Sequence, residues 1–304
     1  MEQHLINGDS AEVLKTLKDN SVDLLATDPP YGIDFMGKQW DKALPPTDIW
    51  KECYRVLKPG SFIAVMSSPR SDVLYRMIKD LEDAGFDMSF SPILWTYHSG
   101  FPKASDTSKM IDKRLGGNVK KSNAFKGRGI DNTYNGISQS TPIGEERDAM
   151  RHTPDTDLAK KYEGSKLGFQ PKPAVEHIII GMKPHGSKSY IDNVLNFEAL
   201  PDNIKMTYPF IQVPKPAKKE KNYGVDKNNH PTTKPVKLMS YIITLFTREG
   251  DWVIDPFLGS GTTGIASKLL NRNFIGIERE EEYFNICEER LSVDRDKLIK
   301  FFKK

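Results

Sequence analysis

A glycine-rich segment near the end of the 304-residue chain limits most strongly which folds it can adopt. Residues 252–255 (Trp-Val-Ile-Asp) are typical of a buried strand, and 256–264 (Pro-Phe-Leu-Gly-Ser-Gly-Thr-Thr-Gly) predict a tight turn that opens a helix. Glycines allow a backbone to approach a ligand, and amides at a helix start favour a negative group. Glu278 follows at the end of the next predicted strand, where a carboxylate can accept both hydroxyls of a ribose. The segment therefore predicts a nucleoside-binding loop.

The position of this loop determines how the sheet can be assembled. Residues 259–264 satisfy the GxGxxG pattern of dinucleotide-binding proteins, which is a weak signal by itself. Only 40 residues follow Gly264, enough for about one more strand and a helix, so the N-terminal half has to complete the sheet. We therefore expect a circularly permuted order with the nucleoside loop last. This order disfavours the alternative of a nicotinamide-dependent dehydrogenase.

Apolar runs of strand length alternate with helical segments on both sides of the middle of the chain. This alternation predicts an α/β fold with a doubly wound, largely parallel sheet. The predicted strands are 21–27, 61–67, 89–97, 175–182, 252–255 and 274–278, and the predicted helices are 71–84, 235–248 and 262–271. A turn is predicted at 58–60 (Lys-Pro-Gly), and a connector rich in proline and lysine at 184–229.

An Asp-Pro-Pro-Tyr sequence, residues 28–31, directly follows the first of these strands. Its prolines stiffen the turn and remove two amide donors, so the Pro29 carbonyl and the Asp28 carboxylate are expected to face outward at the ligand-binding edge of the sheet. The exocyclic amine of a base is a poor nucleophile. Two acceptors, one of them anionic, would hold its hydrogens while the nitrogen attacks, and the ring of Tyr31 could stack on the base. A rigid turn without chemistry is the alternative.

Three motifs occur in the order Asp-Pro-Pro-Tyr (28–31), His-Pro-Thr-Thr-Lys-Pro (230–235) and Asp-Pro-Phe-Leu-Gly-Ser-Gly-Thr (255–262). In this order they resemble the beta-group amino DNA methyltransferases, which form N6-methyladenine or N4-methylcytosine. The resemblance covers about residues 1–98 and 174–290. It implies a Rossmann-like methyltransferase sheet, S-adenosylmethionine as cofactor, double-stranded DNA as partner and, as in many relatives, a homodimer.

The resemblance also assigns roles to individual residues. The implied catalytic residues are Asp28, Pro29, Pro30 and Tyr31. The implied cofactor-binding residues are Asp9, Asp28, Thr232, Lys234, Asp255, Phe257, Gly259, Ser260, Gly261, Thr262 and Glu278. Within this set Asp9 would meet the adenine amine, Glu278 would bind the ribose, and the loop after Asp255 would hold the methionine end. Thr232 and Lys234 would close over the methionine carboxylate.

The resemblance implies direct in-line methyl transfer to an extruded base. Such a reaction needs no cysteine nucleophile, and Cys53 and Cys287 lie in no motif. Trp95 and Tyr97 are expected either to stack on the base or to pack in the core. The aspartate form of the catalytic turn favours adenine N6, whereas serine is common in enzymes that act on cytosine N4, so both targets stay open. A nucleic-acid-binding subunit with an inert site is disfavoured because both motifs are complete.

Positive charge is concentrated in the middle of the chain, although the net charge is only +3. Residues 101–173 hold 14 Lys and Arg against 9 Asp and Glu, and they are rich in Gly, Asn, Ser and Thr. We therefore expect a catalytic domain, 1–98 and 175–304, interrupted by a loop-rich target-recognition insertion at 99–174. The connector 184–229 is a second candidate for DNA contact. The candidate DNA-binding residues are Lys103, Lys120, Lys121, Lys126 and Arg128.

Several classes of protein are excluded by the composition. The sequence contains no run of 18 or more apolar residues and no basic, then apolar, leader-like start. Its two cysteines lie far apart without metal-ligand spacing, so we expect neither a disulfide nor a metal site. A cytoplasmic protein without membrane contact is the resulting expectation.

Overall fold

One mixed β-sheet organises the larger part of the chain in the computed structural model. The structure describes residues 1–34, 37, 39–97, 105–118, 152–168, 174–199 and 208–302. Within these ranges eight strands form a single sheet in the order β1-β8-β7-β2-β3-β5-β4-β6. The strands are β1 (Gln3–Asn7), β2 (Val22–Thr27), β3 (Leu57–Ser67), β4 (Ile93–Thr96), β5 (Val175–Met182), β6 (Phe210–Gln212), β7 (Trp252–Asp255) and β8 (Asn273–Glu278).

The described residues also form eleven α-helices. They are α1 (Ser10–Val13), α2 (Thr47–Val56), α3 (Ser71–Asp83), α4 (Thr107–Leu115), α5 (Asp157–Lys161), α6 (Tyr190–Phe197), α7 (Lys218–Lys221), α8 (Val236–Phe246), α9 (Thr262–Leu269), α10 (Glu281–Ser292) and α11 (Arg295–Phe302). Short 3-10 turns lie at Leu14–Thr16 and Gln39–Asp41.

The core consists of two layers because successive side chains of a strand point to opposite faces. On β3, Ala64 and Met66 pack in the cluster that contains α8 and α9, whereas Ile63 and Val65 pack in the cluster that contains α2 and α3. Every residue of β2 is buried, as expected for a central strand covered on both sides. The predicted doubly wound α/β sheet is therefore confirmed.

The strand directions differ in one respect from the expectation. Strands β1, β8, β7, β2 and β3 are parallel to one another, but β5 runs antiparallel to both β3 and β4. In the β3–β5 register Ser67 lies opposite His177. The amino end of β5 therefore lies at the same edge of the sheet as the carboxyl ends of β2 and β3.

Three local predictions are corrected by the structure. The turn expected at 58–60 lies inside β3, where the Gly60 amide donates to the Lys183 carbonyl at 2.8 Å. The strand expected at 89–97 is limited to Ile93–Thr96, since Pro92 has no amide donor to extend the ladder. Within the predicted connector, β6 adds a three-residue edge strand beside β4.

The chain divides into two compact units, Met1–Tyr97 with Val175–Lys304, and His98–Ala174. In the second unit the buried carboxylate of Asp112, on α4, accepts hydrogen bonds from the His152 ring at 2.7 Å and from the Thr156 amide at 2.9 Å. These bonds join α4 to the start of α5. They also lower the pKa of Asp112, although burial acts in the opposite direction.

Within the described ranges, no helix has the length and apolar character that a membrane crossing requires.

Candidate active site

Four predicted site residues follow neighbouring strands at one edge of the sheet. Asp9 comes after β1, Glu278 ends β8, Asp255 ends β7 and Asp28 comes after β2. These strands are adjacent and parallel, and Asn7 lies opposite Glu278 in the register. Because the carboxyl ends of parallel strands meet at one edge, the structure brings the residues together in the order Asp9, Glu278, Asp255 and Asp28.

The buried carboxylate of Asp255 holds the start of the glycine loop in place through hydrogen bonds. It accepts hydrogen bonds from the Thr27 and Thr263 hydroxyls, both at 2.6 Å, and from the Phe257 amide at 3.1 Å. Burial raises the pKa of Asp255 to about 6, against the opposing effect of these donors. Asp255 therefore ties the loop to β2 and to the first turn of α9.

Backbone conformation and crowding both require glycine in this loop. Gly259 and Gly261 have φ angles of +57° and +84°. A Cβ atom would lie 2.9 Å from the His230 ring at Gly259 and 2.7 Å from the Cys287 sulfur at Gly261. Between the glycines, Ser260 is buried, and Thr262 starts α9 immediately after them.

Glu278 connects the loop to the strand beside it. One carboxylate oxygen accepts from the Gly259 amide at 2.7 Å and the other from the Glu280 amide at 2.8 Å. Burial raises the pKa of Glu278 to about 7 despite these two donors. Each oxygen of a carboxylate can accept more than one hydrogen bond, so Glu278 retains capacity for vicinal hydroxyls.

The remaining predicted cofactor residues occupy less enclosed positions. Asp9 is exposed and caps α1, accepting from the Ala11 amide at 2.8 Å. Phe257 lies with its ring centroid 5.8 Å from that of Trp50. Thr232 is partly buried, and its neighbour Thr233 lies 3.2 Å from the Ser260 hydroxyl.

The Asp-Pro-Pro-Tyr turn is held by polar contacts from three directions. The Tyr31 hydroxyl donates to one oxygen of Asp28 at 2.7 Å, and Lys234 Nζ donates to the other at 2.5 Å. Asp41 accepts from the Tyr31 amide at 2.7 Å and the Gly32 amide at 3.1 Å. The Asp28 side chain is only 20% exposed, so most of the carboxylate is covered, whereas the sequence predicted that it faces outward.

The Lys234 side chain lies at the Asp-Pro-Pro-Tyr turn. Its ammonium is 2.5 Å from Asp28 and 3.4 Å from Glu176, which starts β5. Burial tends to lower the pKa of Lys234, but the two carboxylates raise it above its ordinary value. In this structure Lys234 is therefore a positively charged partner of Asp28.

Trp95 and Tyr97 belong to the core. Both are almost fully buried, their rings lie 4.7 Å apart between centroids, and the Trp95 indole donates to the Val213 carbonyl at 2.8 Å. Of the two expectations for this pair, core packing is the one that the structure supports. The five candidate DNA-binding residues, Lys103, Lys120, Lys121, Lys126 and Arg128, lie outside the described residues.

Comparison with known proteins identifies the family of this chain. A family model described as DNA methylase, for N6 and N4 methyltransferases, matches residues 22–289. The chain belongs to this DNA methylase family. The resemblance seen in the motifs is confirmed, and the interpretation as a nicotinamide dehydrogenase is not supported.

Individual relatives extend over nearly the whole methyltransferase. The chain is 29% identical to the type II methyltransferase M.HpaI of Haemophilus parainfluenzae, over 96% of this chain and 74% of that protein. It is 27% identical to the DNA adenine methyltransferase YhdJ of Escherichia coli (strain K12), over 95% of this chain and 82% of that protein. The crystal structure of the M1.HpyAVI–SAM complex has the same fold, with a TM-score of 0.53 at 22% identity, over 95% of this chain and 100% of that chain.

The cofactor of the methyltransferase is S-adenosylmethionine, as predicted. The residues at the sheet edge fit this molecule. Its adenine, ribose and methionine parts are linked in that order, and the edge presents an aspartate after β1, a glutamate at the end of β8 and a glycine loop after β7 in the same order.

Sequence reasoning missed three residues of the candidate site. Glu176 is read from the sequence only as part of a strand, Asp41 lies in no motif, and Arg290 lies in a C-terminal helix that was not predicted. Arg290 is fully buried and donates to the Ser260 carbonyl under the glycine loop. Arg290 directly follows Glu288 and Glu289 in a charged segment, so no local sequence pattern marks it as buried.

Proposed function

We propose that the methyltransferase transfers the methyl group of S-adenosylmethionine to the exocyclic N6 of adenine at a specific site in double-stranded DNA. The observation that carries the proposal is the spatial order at the sheet edge. The predicted cofactor-binding residues at the ends of β1, β8 and β7 lie in this order along the edge, and the Asp-Pro-Pro-Tyr turn after the adjacent strand β2 comes next. A cofactor bound in this order would have its methionine end next to Asp28, where the methyl group is needed.

Asp28 and Pro29 supply the acceptors for the target amine. The cofactor, when bound, provides an electrophilic methyl group on a positively charged sulfur. Each carboxylate oxygen of Asp28 can accept two hydrogen bonds, so Tyr31 and Lys234 leave capacity for an amine hydrogen. The Pro29 carbonyl oxygen would accept the second hydrogen. Both bonds orient the nitrogen lone pair and strengthen as positive charge develops on nitrogen.

Asp28 is also suited to take the proton that the methylated nitrogen releases. Burial raises the pKa of Asp28, Lys234 lowers it and Glu176 raises it again, and the net direction is upward. A carboxylate with a raised pKa is a stronger proton acceptor.

A variant of Asp28 tests this role. Asp28→Ala is expected to bind S-adenosylmethionine with near-normal affinity but to transfer methyl groups at least ~10²-fold more slowly, because the charge-stabilising acceptor is removed. Calorimetry measures the first quantity and single-turnover kinetics the second. Asp48→Ala, which removes an exposed carboxylate on α2, is the control and should retain full activity. Near-normal turnover of Asp28→Ala would refute the proposed site.

Adenine N6 is preferred to cytosine N4 for two reasons. The catalytic turn has the aspartate form, and one relative over nearly the whole chain is a DNA adenine methyltransferase. The family includes enzymes of both kinds, so the target has to be measured. Mass spectrometry of nucleosides from unmethylated DNA incubated with enzyme and cofactor should detect N6-methyladenine. Detection of N4-methylcytosine alone would overturn the adenine assignment.

The DNA contacts and the assembly are further parts of the proposal. We assign target recognition to the basic insertion 99–174, with a contribution from the connector 184–229, because both are rich in lysine. Extruding a base from the duplex costs a few kcal/mol, which stacking on Tyr31 would offset. The homodimer implied by the family resemblance is tested by light scattering of the purified protein.

A further inference from the structure

A second carboxylate lies beside the catalytic one. Oε2 of Glu176 is 3.4 Å from Lys234 Nζ and 3.3 Å from the Tyr31 hydroxyl, which are the same two groups that contact Asp28. Oε1 of Glu176 is 3.2 Å from the Tyr97 hydroxyl. The Glu176 side chain is 13% exposed and the Lys234 side chain 9%, so these charges lie largely out of water.

Glu176 changes the net formal charge of this cluster, which a residue with a purely structural role would not need to do. Asp28 with Lys234 alone would form a neutral ion pair, which has little field to offer a reacting group. With Glu176 ionised, the two carboxylates and one ammonium carry a net charge of −1. An unbalanced charge acts strongly in a partly desolvated site.

Methyl transfer places positive charge beside this cluster. The bond between the methyl carbon and sulfur breaks with its electron pair remaining on sulfur, and the amine lone pair forms the new carbon–nitrogen bond. The sulfonium charge thus disappears while the nitrogen becomes positive until it releases one proton. A net negative cluster next to the nitrogen favours this redistribution, whereas a neutral pair does not.

We propose that Glu176 is a positioning residue for methyl transfer, which holds Lys234 and Tyr31 against Asp28 and leaves the cluster with net negative charge. This inference rests on the proposed role of Asp28. It adds a residue from β5 that no sequence motif includes. It also explains why a lysine beside the catalytic carboxylate does not cancel its charge.

Several other charged and titratable groups lie around Asp28, and the effect of Glu176 on the pKa of Asp28 has to be distinguished from theirs. Asp255 of the glycine loop interacts electrostatically with Asp28, Tyr31 and Lys234 touch it directly, and Tyr97 lies on the far side of Glu176. Nζ of Lys215 is 4.3 Å from the centroid of the Tyr97 ring. Lys234 lowers the pKa of Asp28 and Glu176 raises it. Neutralising Glu176 alone therefore lowers the pKa of Asp28.

Glu176→Gln is the decisive variant because it keeps the shape and removes the charge. We expect kcat to fall at least about tenfold, with KM for S-adenosylmethionine within about twofold of wild type. The acid limb of the pH–rate profile should move to lower pH. Without cofactor or DNA, the Asp28 carboxyl resonance in protein labelled with carboxyl-¹³C aspartate should titrate at lower pH than in the wild type. Asp28→Asn assigns that resonance.

Matched variants complete the experiment. Glu176→Asp retains the charge and should restore much of kcat and the wild-type titration of Asp28. Asp48→Asn removes an exposed charge of α2 and should change neither quantity. If Glu176→Gln does not fold, Glu176→Met replaces it, and the pKa of Asp28 should again fall because the second carboxylate is removed while Lys234 stays.

The outcomes separate the two proposals. A wild-type kcat together with an unchanged Asp28 titration in Glu176→Gln overturns the role of Glu176, even if Asp28→Ala is inactive. In the replacement experiment, an unchanged or higher Asp28 pKa in Glu176→Met overturns it. An active Asp28→Ala variant instead overturns the proposed catalytic turn, whatever Glu176→Gln does.

Discussion

At the scale of single residues, burial and hydrogen bonding act on the Glu278 carboxyl in opposite directions. Burial prevails and raises its pKa to about 7, although two backbone amides donate to it. Its ordinary value of 4.5 would leave it ionised at any pH near neutrality. With a pKa of about 7, the proposed ribose acceptor is at the midpoint of its titration near neutral pH. Only the ionised form offers both oxygens as acceptors.

We therefore predict that cofactor affinity depends on pH through Glu278. The affinity for S-adenosylmethionine should rise as pH increases from about 6 to about 8, because ionisation supplies the acceptor. Glu278→Gln should bind more weakly and lose this dependence, whereas Glu281→Gln, at an exposed position at the start of α10, should keep it. Calorimetric titration at several pH values measures the effect. A flat wild-type profile across this range would contradict the prediction.

The same carboxyl has the opposite effect on the stability of the cofactor-free protein. A carboxyl whose pKa is higher in the folded than in the unfolded chain stabilises the fold below its unfolded pKa, and this contribution is lost as pH rises through the folded value. For Glu278 the loss falls between about 4.5 and about 7. Denaturant unfolding of wild type and Glu278→Gln over this range should show the difference.

At the scale of elements, α10 supports the glycine loop through one buried cation. Arg290 donates to the Ser260 carbonyl and, at 3.2 Å, to the Ser260 hydroxyl. Burial lowers its pKa to about 10. The Ser260 hydroxyl lies 3.2 Å from Thr233, the residue before Lys234. Through these contacts α10 fixes the loop and the segment that carries Lys234 in a single network.

Arg290→Met is expected to weaken cofactor binding more than it weakens the fold. Methionine fills a similar volume and relieves the cost of burying a charge, but it leaves the Ser260 carbonyl without its charged donor. The affinity for S-adenosylmethionine should fall about tenfold, the loss of ~1.4 kcal/mol expected for one such bond. Arg295→Met is the matched control, since Arg295 also donates to two carbonyls, at the end of α9. Wild-type affinity of Arg290→Met would rule out this support.

The accuracy of the sequence-based prediction also differs between elements. Strands 175–182 and 252–255 were predicted with their observed bounds because central strands are continuous apolar runs. Strands β1 and β6 were missed because short edge strands pair on one side only and carry little apolar signal. The motif residues at the ends of β2 and β7 could be located in advance, whereas Glu176 could not.

At the scale of the whole molecule, the methyltransferase separates cofactor chemistry from the proposed reading of DNA. The sheet with its ligand edge lies in one unit, formed by Met1–Tyr97 and Val175–Lys304, and the basic insertion forms the other. The net charge of +3 combines a surplus of five positive charges in residues 101–173, from 14 basic and 9 acidic residues, with a slightly negative remainder.

Replacing Lys120, Lys121, Lys126 and Arg128 together by serine should weaken DNA binding without changing cofactor affinity. Each phosphate contact that is lost reduces the slope of log affinity against log salt by about 0.9. Fluorescence anisotropy with a DNA duplex at several salt concentrations measures this slope. The control replaces Lys15, Lys51 and Lys79, which are exposed in the other unit. An unchanged slope in the quadruple variant would remove these residues from the DNA contact.

The sequence by itself determined the motifs, their order and hence the permuted sheet, because these follow from local patterns and from the length of chain available. Only the tertiary structure decided which other residues reach the catalytic carboxylate. Glu176 lies at the amino end of its strand, and in an all-parallel sheet it would lie at the edge opposite Asp28. Because β5 is antiparallel, its amino end meets the carboxyl ends of β2 and β3, and this pairing brings Glu176 to Lys234 and Tyr31. Strand direction depends on long-range pairing, which no local pattern encodes.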